Sequence, residues 1–283
     1  MARDAGVEVL LEGLTFPEAP RWRDGRLWFS DFYSHRVLAV GLDGRCETVA
    51  TVPARPSGLG WRPDGTLLVV AMLDRALLEL SDGALRKVAD LGQLAGGLCN
   101  DMVVDAAGRA YVGNFGYNRH AGEAPRETCL IRVDPDSTVV RAADGLMFPN
   151  GMVISPDGKT LVVAETFAHR LSAFAIGADG ALGGRRLFAD LPGSFPDGIC
   201  LDAEGAVWVA DARGHEVSRV LEGGRVAQRI PVGERTVFAC MLGGADRRTL
   251  FLCTCTGSGP AMAEKTDGKI ELVRVAVPGA GRP

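Results

Sequence analysis

The segment Asp64-Gly65-Thr66-Leu67-Leu68-Val69-Val70 decides the fold. An Asp-Gly turn tolerates the positive φ angles of a tight hairpin, and the apolar run behind it suits a strand buried on both faces. Gly58-Leu59-Gly60-Trp61 comes before the turn, so the whole reads as strand, turn, strand. The unit recurs in Asp24-Gly25-Arg26-Leu27-Trp28-Phe29, Ala107-Gly108-Arg109-Ala110-Tyr111-Val112, Asp157-Gly158-Lys159-Thr160-Leu161-Val162-Val163 and Glu204-Gly205-Ala206-Val207-Trp208-Val209. A degenerate sixth copy is Asp246-Arg247-Arg248-Thr249-Leu250-Phe251-Leu252, and successive copies start 40, 43, 50, 47 and 42 residues apart. A third apolar stretch follows, as in Arg36-Val37-Leu38-Ala39-Val40, then a fourth, as in Glu47-Thr48-Val49-Ala50. Four strands in about 45 residues make one blade of a β-propeller. The expectation is an all-β chain, a six-bladed β-propeller with four-stranded blades around a central channel and residues 1–283 as a single domain. A β-sandwich leaves six copies of one four-strand unit unexplained, and a β-helix needs a much shorter period.

Composition narrows the partners. The 31 basic and 35 acidic residues give a net charge of -4, without the basic excess of a nucleic-acid or anionic-membrane surface. No apolar run approaches the roughly 20 residues of a membrane span. Met1-Ala2-Arg3-Asp4-Ala5-Gly6-Val7-Glu8 has early acids and no apolar stretch, so the expected location is cytoplasmic. The seven scattered cysteines do not form a disulfide framework. Cys253-Thr254-Cys255 lacks a second pair or a nearby His, so reduced, buried thiols are expected there rather than zinc.

In a propeller the first strand of each blade lies nearest the axis, so equivalent residues at its entry form a ring at one end of the channel. Aligning the copies on their turns gives Glu18, Ser57, Asn100, Asn150, Asp197 and Ala239. The contexts match as well: Phe16-Pro17-Glu18, Phe148-Pro149-Asn150-Gly151 and Phe195-Pro196-Asp197-Gly198. Singly, Asn-Gly and Asp-Gly are turn dipeptides. Brought together, two carboxylates and two amides form an all-oxygen site for a hard cation such as Ca²⁺, Mg²⁺ or Mn²⁺. Four protein oxygens leave positions for water or substrate, as in a catalytic metal site.

With Pro17-Glu18-Ala19-Pro20-Arg21-Trp22 and Asn100-Asp101-Met102-Val103-Val104-Asp105, these motifs resemble the SMP-30/gluconolactonase (regucalcin-like) family over about Glu12 to Arg274. The resemblance implies a lactonase with one divalent cation on the axis, held by Glu18, Asn150 and Asp197, with Asn100 beside it facing a small lactone or ester substrate. Ca²⁺, Mg²⁺, Mn²⁺, Zn²⁺ and Fe²⁺ all stay open. Asp197 is expected to act as general base toward water. Gluconolactone-hydrolysing relatives commonly carry Arg two residues before the Asn100 position. Leu98 stands there, which offers a polyol no fixed fork of donors. Organophosphate hydrolysis and a non-catalytic calcium- or ligand-binding propeller are the alternatives.

His35, His169 and His215 share one repeated position between second and third strands, where structural roles are expected. His120 and Tyr117 lie in the insertion Gly113–Glu123, expected on the face of the ring and able to touch substrate. Asp31, Asn114 and Asp211 are expected to cap strand ends. Trp22, Trp28, Trp61 and Trp208 are expected in the core between blades.

Overall fold

Six four-stranded antiparallel sheets account for nearly all of the strand structure. The computed structural model describes residues 6–281, apart from the side chain of His120. The first blade runs outward from the axis as Pro17–Arg23, Arg26–Asp31, Arg36–Gly41 and Cys46–Thr51. The inner strands of the next five blades are Pro56–Trp61, Cys99–Val104, Pro149–Ile154, Pro196–Leu201 and Thr236–Gly243. Each inner strand packs against those of both neighbouring blades, and the first packs against the sixth, so the ring is closed. The six-bladed propeller read from the repeat is the fold.

Closure uses a device the repeat does not show. The sixth blade is built from Thr236–Gly243, Thr249–Cys255 and Gly268–Arg274, and its outermost strand is Glu8–Leu14 from the other end of the chain. That strand has no hairpin turn of its own, so the repeat could not reveal it. Pairing it with Gly268–Arg274 covers an edge that would otherwise be open.

Apolar side chains fill the spaces between blades. Leu67–Ala71 and Cys99–Val104 are buried along their whole length, as expected of sheets covered on both faces. Trp22 stacks on Phe251 across the first and sixth blades at 5.3 Å, Trp28 meets Trp61 edge-on at 5.4 Å, and Trp208 is fully buried. All seven cysteines are free, and only Cys46 is exposed.

Polar residues at the end of four of the six second strands tie neighbouring segments together. Asp31 accepts from the backbone N–H groups of Thr15 and Phe16, and Asp211 from those of Phe195, Arg213 and Gly214. Asn114 accepts from Gly96 and Gly116. Strand pairing puts Glu165 at the same position in the fourth blade, where it accepts from Met147 N–H, Arg170, Arg185 and Ser172. The equivalent histidines bond locally: His169 Nδ1 to the Ser194 carbonyl and His215 Nδ1 to that of Arg235.

The inner strands share an irregularity that bears on function. Each breaks register with its second strand near its entry: between Glu18 and Arg21, Pro56 and Leu59, Cys99 and Met102, Pro149 and Met152, Pro196 and Ile199, and Val237 and Ala239. A bulge re-aims the side chain it carries. Here the repeated bulges carry the ring positions identified by sequence.

Candidate active site

A cavity of about 370 Å³ opens on the axis at this bulged end. Glu18, Asn100, Asn150 and Asp197 all line it, one from each of four blades, and all four side chains are buried. Ser57 and Ala239 complete the sequence ring but are not among the lining residues. Apolar and aromatic walls rise above the four polar groups, including Phe16, Phe148, Phe195 and Phe238.

Close packing of inner strands holds the polar groups in place. The glycines after Asn150 and Asp197 serve that packing: a Cβ at Gly151 would lie 2.6 Å from both Asp197 O and Ile199 N, and one at Gly198 would lie 2.4 Å from the Ala239 Cβ. Both glycines lie within inner strands and neither has a positive φ, so neither is a turn residue. Gly151→Ala must push the backbone of Asp197 away. The expected loss is about 1–3 kcal/mol, read by thermal unfolding. An unchanged melting temperature would show that the two strands can part freely.

Hydrogen bonds orient the donors. Asn150 Nδ2 donates to Thr166 Oγ1 at 3.2 Å, and that hydroxyl donates to Pro196 O at 2.8 Å. With its nitrogen so engaged, Asn150 presents Oδ1 as an acceptor. Glu18 Oε2 accepts from Ala19 N–H at 2.9 Å. Asn100 Nδ2 is buried without a hydrogen-bond partner, a donor ready for an oxygen brought into the cavity.

Electrostatics sets the two carboxylates apart. Burial pushes Glu18 well above the usual carboxylate range, and the nearby charge of Asp197 pushes it further. Asp197 is raised by burial and then by Asp101, with a hydrogen bond from Asn150 and the charge of Arg119 pulling the other way. Two buried carboxyls, both raised by burial and one opposing the other's ionisation, form a site short of positive charge. The donors fit a hard divalent cation, which would favour both charged forms. Glu18, Asn150 and Asp197 are the residues that could hold it. Only two of the ring residues are acids, and among the described residues no group of three His, Cys, Asp or Glu side chains gathers around one point. An amide oxygen would therefore have to serve as a donor.

One buried pair underlies the site and was not read as such in the sequence. Arg21 Nη2 donates to Asp101 Oδ1 at 2.6 Å and to Met102 O at 2.7 Å, while Arg21 Nε donates to Leu59 O at 3.0 Å. It ties the first, second and third blades together behind Glu18 and Asn100.

The insertion contributes differently from the sequence expectation. Phe115 and Arg119 line the cavity. Tyr117 is buried behind the wall, with its ring 6.2 Å from Phe148 and 6.4 Å from Phe167. Its apolar body packs there, and it is not among the lining residues. His120 belongs to the short 3₁₀ turn Arg119–Ala121, and its side chain lies outside the described part of the structure. Leu98 packs in the apolar cluster with Phe16, Phe32 and Phe115.

Fold and site define a class: six-bladed propellers with a buried carboxylate–carboxamide well on the axis. The chain belongs to the SMP-30/Gluconolactonase/LRE-like family, whose profile matches residues 16–256. A 6-deoxy-6-sulfogluconolactonase of Pseudomonas putida is 29% identical over 280 residues, covering 94% of this chain and 93% of that protein. Regucalcin of Homo sapiens is 30% identical over 261 residues, covering 89% and 86%. Among solved structures, a gluconolactonase of Xanthomonas campestris superposes with a TM-score of 0.76 at 26% identity, covering 96% of this chain and 89% of that one.

Proposed function

We propose that this protein is a divalent-cation-dependent lactonase. One observation carries the reading: Glu18, Asn100, Asn150 and Asp197 converge from four blades on the floor of one cavity. Relatives named as gluconolactonases support the reaction class. Glu18, Asn150 and Asp197 hold the cation. When bound there, a divalent cation supplies Lewis acidity toward a carbonyl oxygen and lowers the pKa of water.

The chain's own residues do the rest. Asn100 Nδ2 donates to an oxygen of the substrate and fixes its approach. Asp197 takes a proton at a carboxylate oxygen as water attacks the lactone carbonyl. The ring C–O bond then breaks, and the departing alkoxide recovers that proton. Lactone and water become one hydroxy acid. Aromatic walls keep bulk water from the reacting carbonyl and strengthen charge interactions at the floor.

The relatives named regucalcin favour a second reading, a calcium-binding propeller without turnover. One experiment separates the two. Chelator-stripped protein is assayed by pH indicator on a lactone panel, before and after single additions of Ca²⁺, Mg²⁺, Mn²⁺, Zn²⁺ and Fe²⁺. Cation-restored turnover of at least one lactone is the expected result. Silence across the panel, with a cation still raising the melting temperature, would replace the enzyme with the binding protein. Turnover of a phosphotriester alone would point to phosphotriester hydrolysis.

A further inference from the structure

The mouth of the cavity is cationic although the chain carries a net charge of -4. Arg55, Arg119 and Arg213 line it. Their origin is clearest in the register between blades. In five blades the residue just past the second strand donates its N–H to a residue before the inner strand: Phe32 to Phe16, Met72 to Arg55, Phe115 to Leu98, Thr166 to Phe148 and Ala212 to Phe195. Arg55 thus occupies the position that Phe16, Phe148 and Phe195 fill in other blades. A guanidinium replaces a phenyl ring in the wall.

Two of the three groups are held by aromatic rings, and among the described residues none of the three is ion-paired. The Arg55 guanidinium lies over Tyr33 at 4.6 Å, and that of Arg213 lies over Phe195 at 4.1 Å. Arg55 Nε is buried without a hydrogen-bond partner. Arg119 is near enough to act electrostatically on both Tyr33 and Tyr117, and Arg213 on Tyr117. Among the described residues no carboxylate pairs with any of the three. Stacking on aromatic faces holds Arg55 and Arg213 and leaves their N–H edges free for an oxyanion. Between this crown and the floor stand apolar walls with few hydrogen-bonding groups, which suit a flat hydrocarbon better than a polyol.

We infer that the cavity takes a ligand with a flat, apolar or aromatic body and one oxyanionic substituent, carboxylate or sulfonate, held at the mouth by Arg55, Arg119 and Arg213. Resting on the lactonase reading, this makes the substrate an acidic aryl- or alkyl-substituted lactone whose carbonyl reaches the floor while its anion stays above.

The test measures binding, so it does not depend on turnover. Cation-loaded full-length protein is titrated calorimetrically with 4-phenylbutyrate, 3-phenylpropanesulfonate and neutral 4-phenylbutyramide. An acid is expected to bind at least about tenfold more tightly than the amide. That advantage should shrink severalfold in Arg55→Gln and Arg213→Gln, survive in part in Arg55→Lys, and weaken with added salt. The carboxylate and sulfonate arms tell which anion is preferred. Equal affinity for acid and amide, or no binding by any of the three, overturns the inference. So does an acid advantage that both arginine variants retain, because the anion would then sit at the cation on the floor. Arg213 is exposed, so its variant is the safer for folding, and melting temperatures check all three. Acid-selective binding in a protein that opens no lactone would remove the lactonase reading and leave this one standing.

Discussion

Arg21→Met should lower stability by about 3–5 kcal/mol, the usual result of removing one partner from a buried ion pair. For a chain of this size that is a drop in melting temperature on the order of 10 °C. Methionine keeps most of the aliphatic stem, so the loss comes from charge and hydrogen bonds rather than volume. Three carbonyls, those of Pro20, Leu59 and Met102, lose a buried donor along with Asp101. Asp101 would be left with the Met102 N–H as its remaining partner. Burial already raises its pKa, and the Arg21 charge is the largest influence holding it down. A carboxyl raised in the folded state costs nothing where both states are protonated and costs progressively more as pH rises past its unfolded value of 3.8. The part of the deficit that comes from Asp101 should therefore be small near pH 4 and grow toward neutrality, on top of the pH-independent loss at the three carbonyls. Adding Asp101→Asn should recover part of it, which a double-mutant cycle would read. A loss under about 1 kcal/mol, the range of exposed pairs, would show that the two groups do not act as a buried pair.

The repeat made the fold legible because a propeller writes one unit six times. Each Asp-Gly hairpin and apolar run was a separate observation of the same blade. It also made the ring legible, since equivalence in sequence becomes convergence in space. Glu18, Asn100, Asn150 and Asp197 share a cavity for that reason. What the repeat could not carry was anything unique to one blade. Glu8–Leu14 closes the ring from a position with no repeat equivalent. The Arg21–Asp101 pair joins two blades through side chains whose pairing no spacing specifies. Tyr117 stood out in a polar loop, yet its ring is apolar enough to be buried, while Phe115 and Arg119 reach the cavity. One further signal is readable in the sequence. The positions one past the aligned caps Asp31, Asn114 and Asp211 hold Phe32, Phe115 and Ala212, and strand pairing adds Met72 and Thr166. All five line the cavity as a second ring. Phe16, Phe148 and Phe195 marked a motif in sequence, and in space they are wall.

Asp197→Asn should give a protein that folds as well as the parent and turns over at least about a thousandfold more slowly. Asparagine has nearly the same shape, so packing on Asn150 and the bulge at Pro196–Ile199 is preserved. Without a cation, Asp197 and Glu18 are both raised by burial, and the charge of Asp197 further resists the ionisation of Glu18. A neutral amide at 197 relieves that cost. Chelator-treated Asp197→Asn should melt no lower than chelator-treated parent, with its relative advantage growing as pH rises above 3.8, the unfolded value. Adding the cation should reverse the order, because the parent gains stability through binding and the variant gains much less. Glu18→Gln separates holding the cation from moving the proton. Glu18 has one oxygen engaged by Ala19 N–H and is assigned no proton transfer. Saturating cation should therefore restore much of the turnover of Glu18→Gln and little of that of Asp197→Asn. Equal restoration of both would leave Asp197 as a ligand only and move the base elsewhere. Parental turnover by Asp197→Asn would remove the residue from the mechanism.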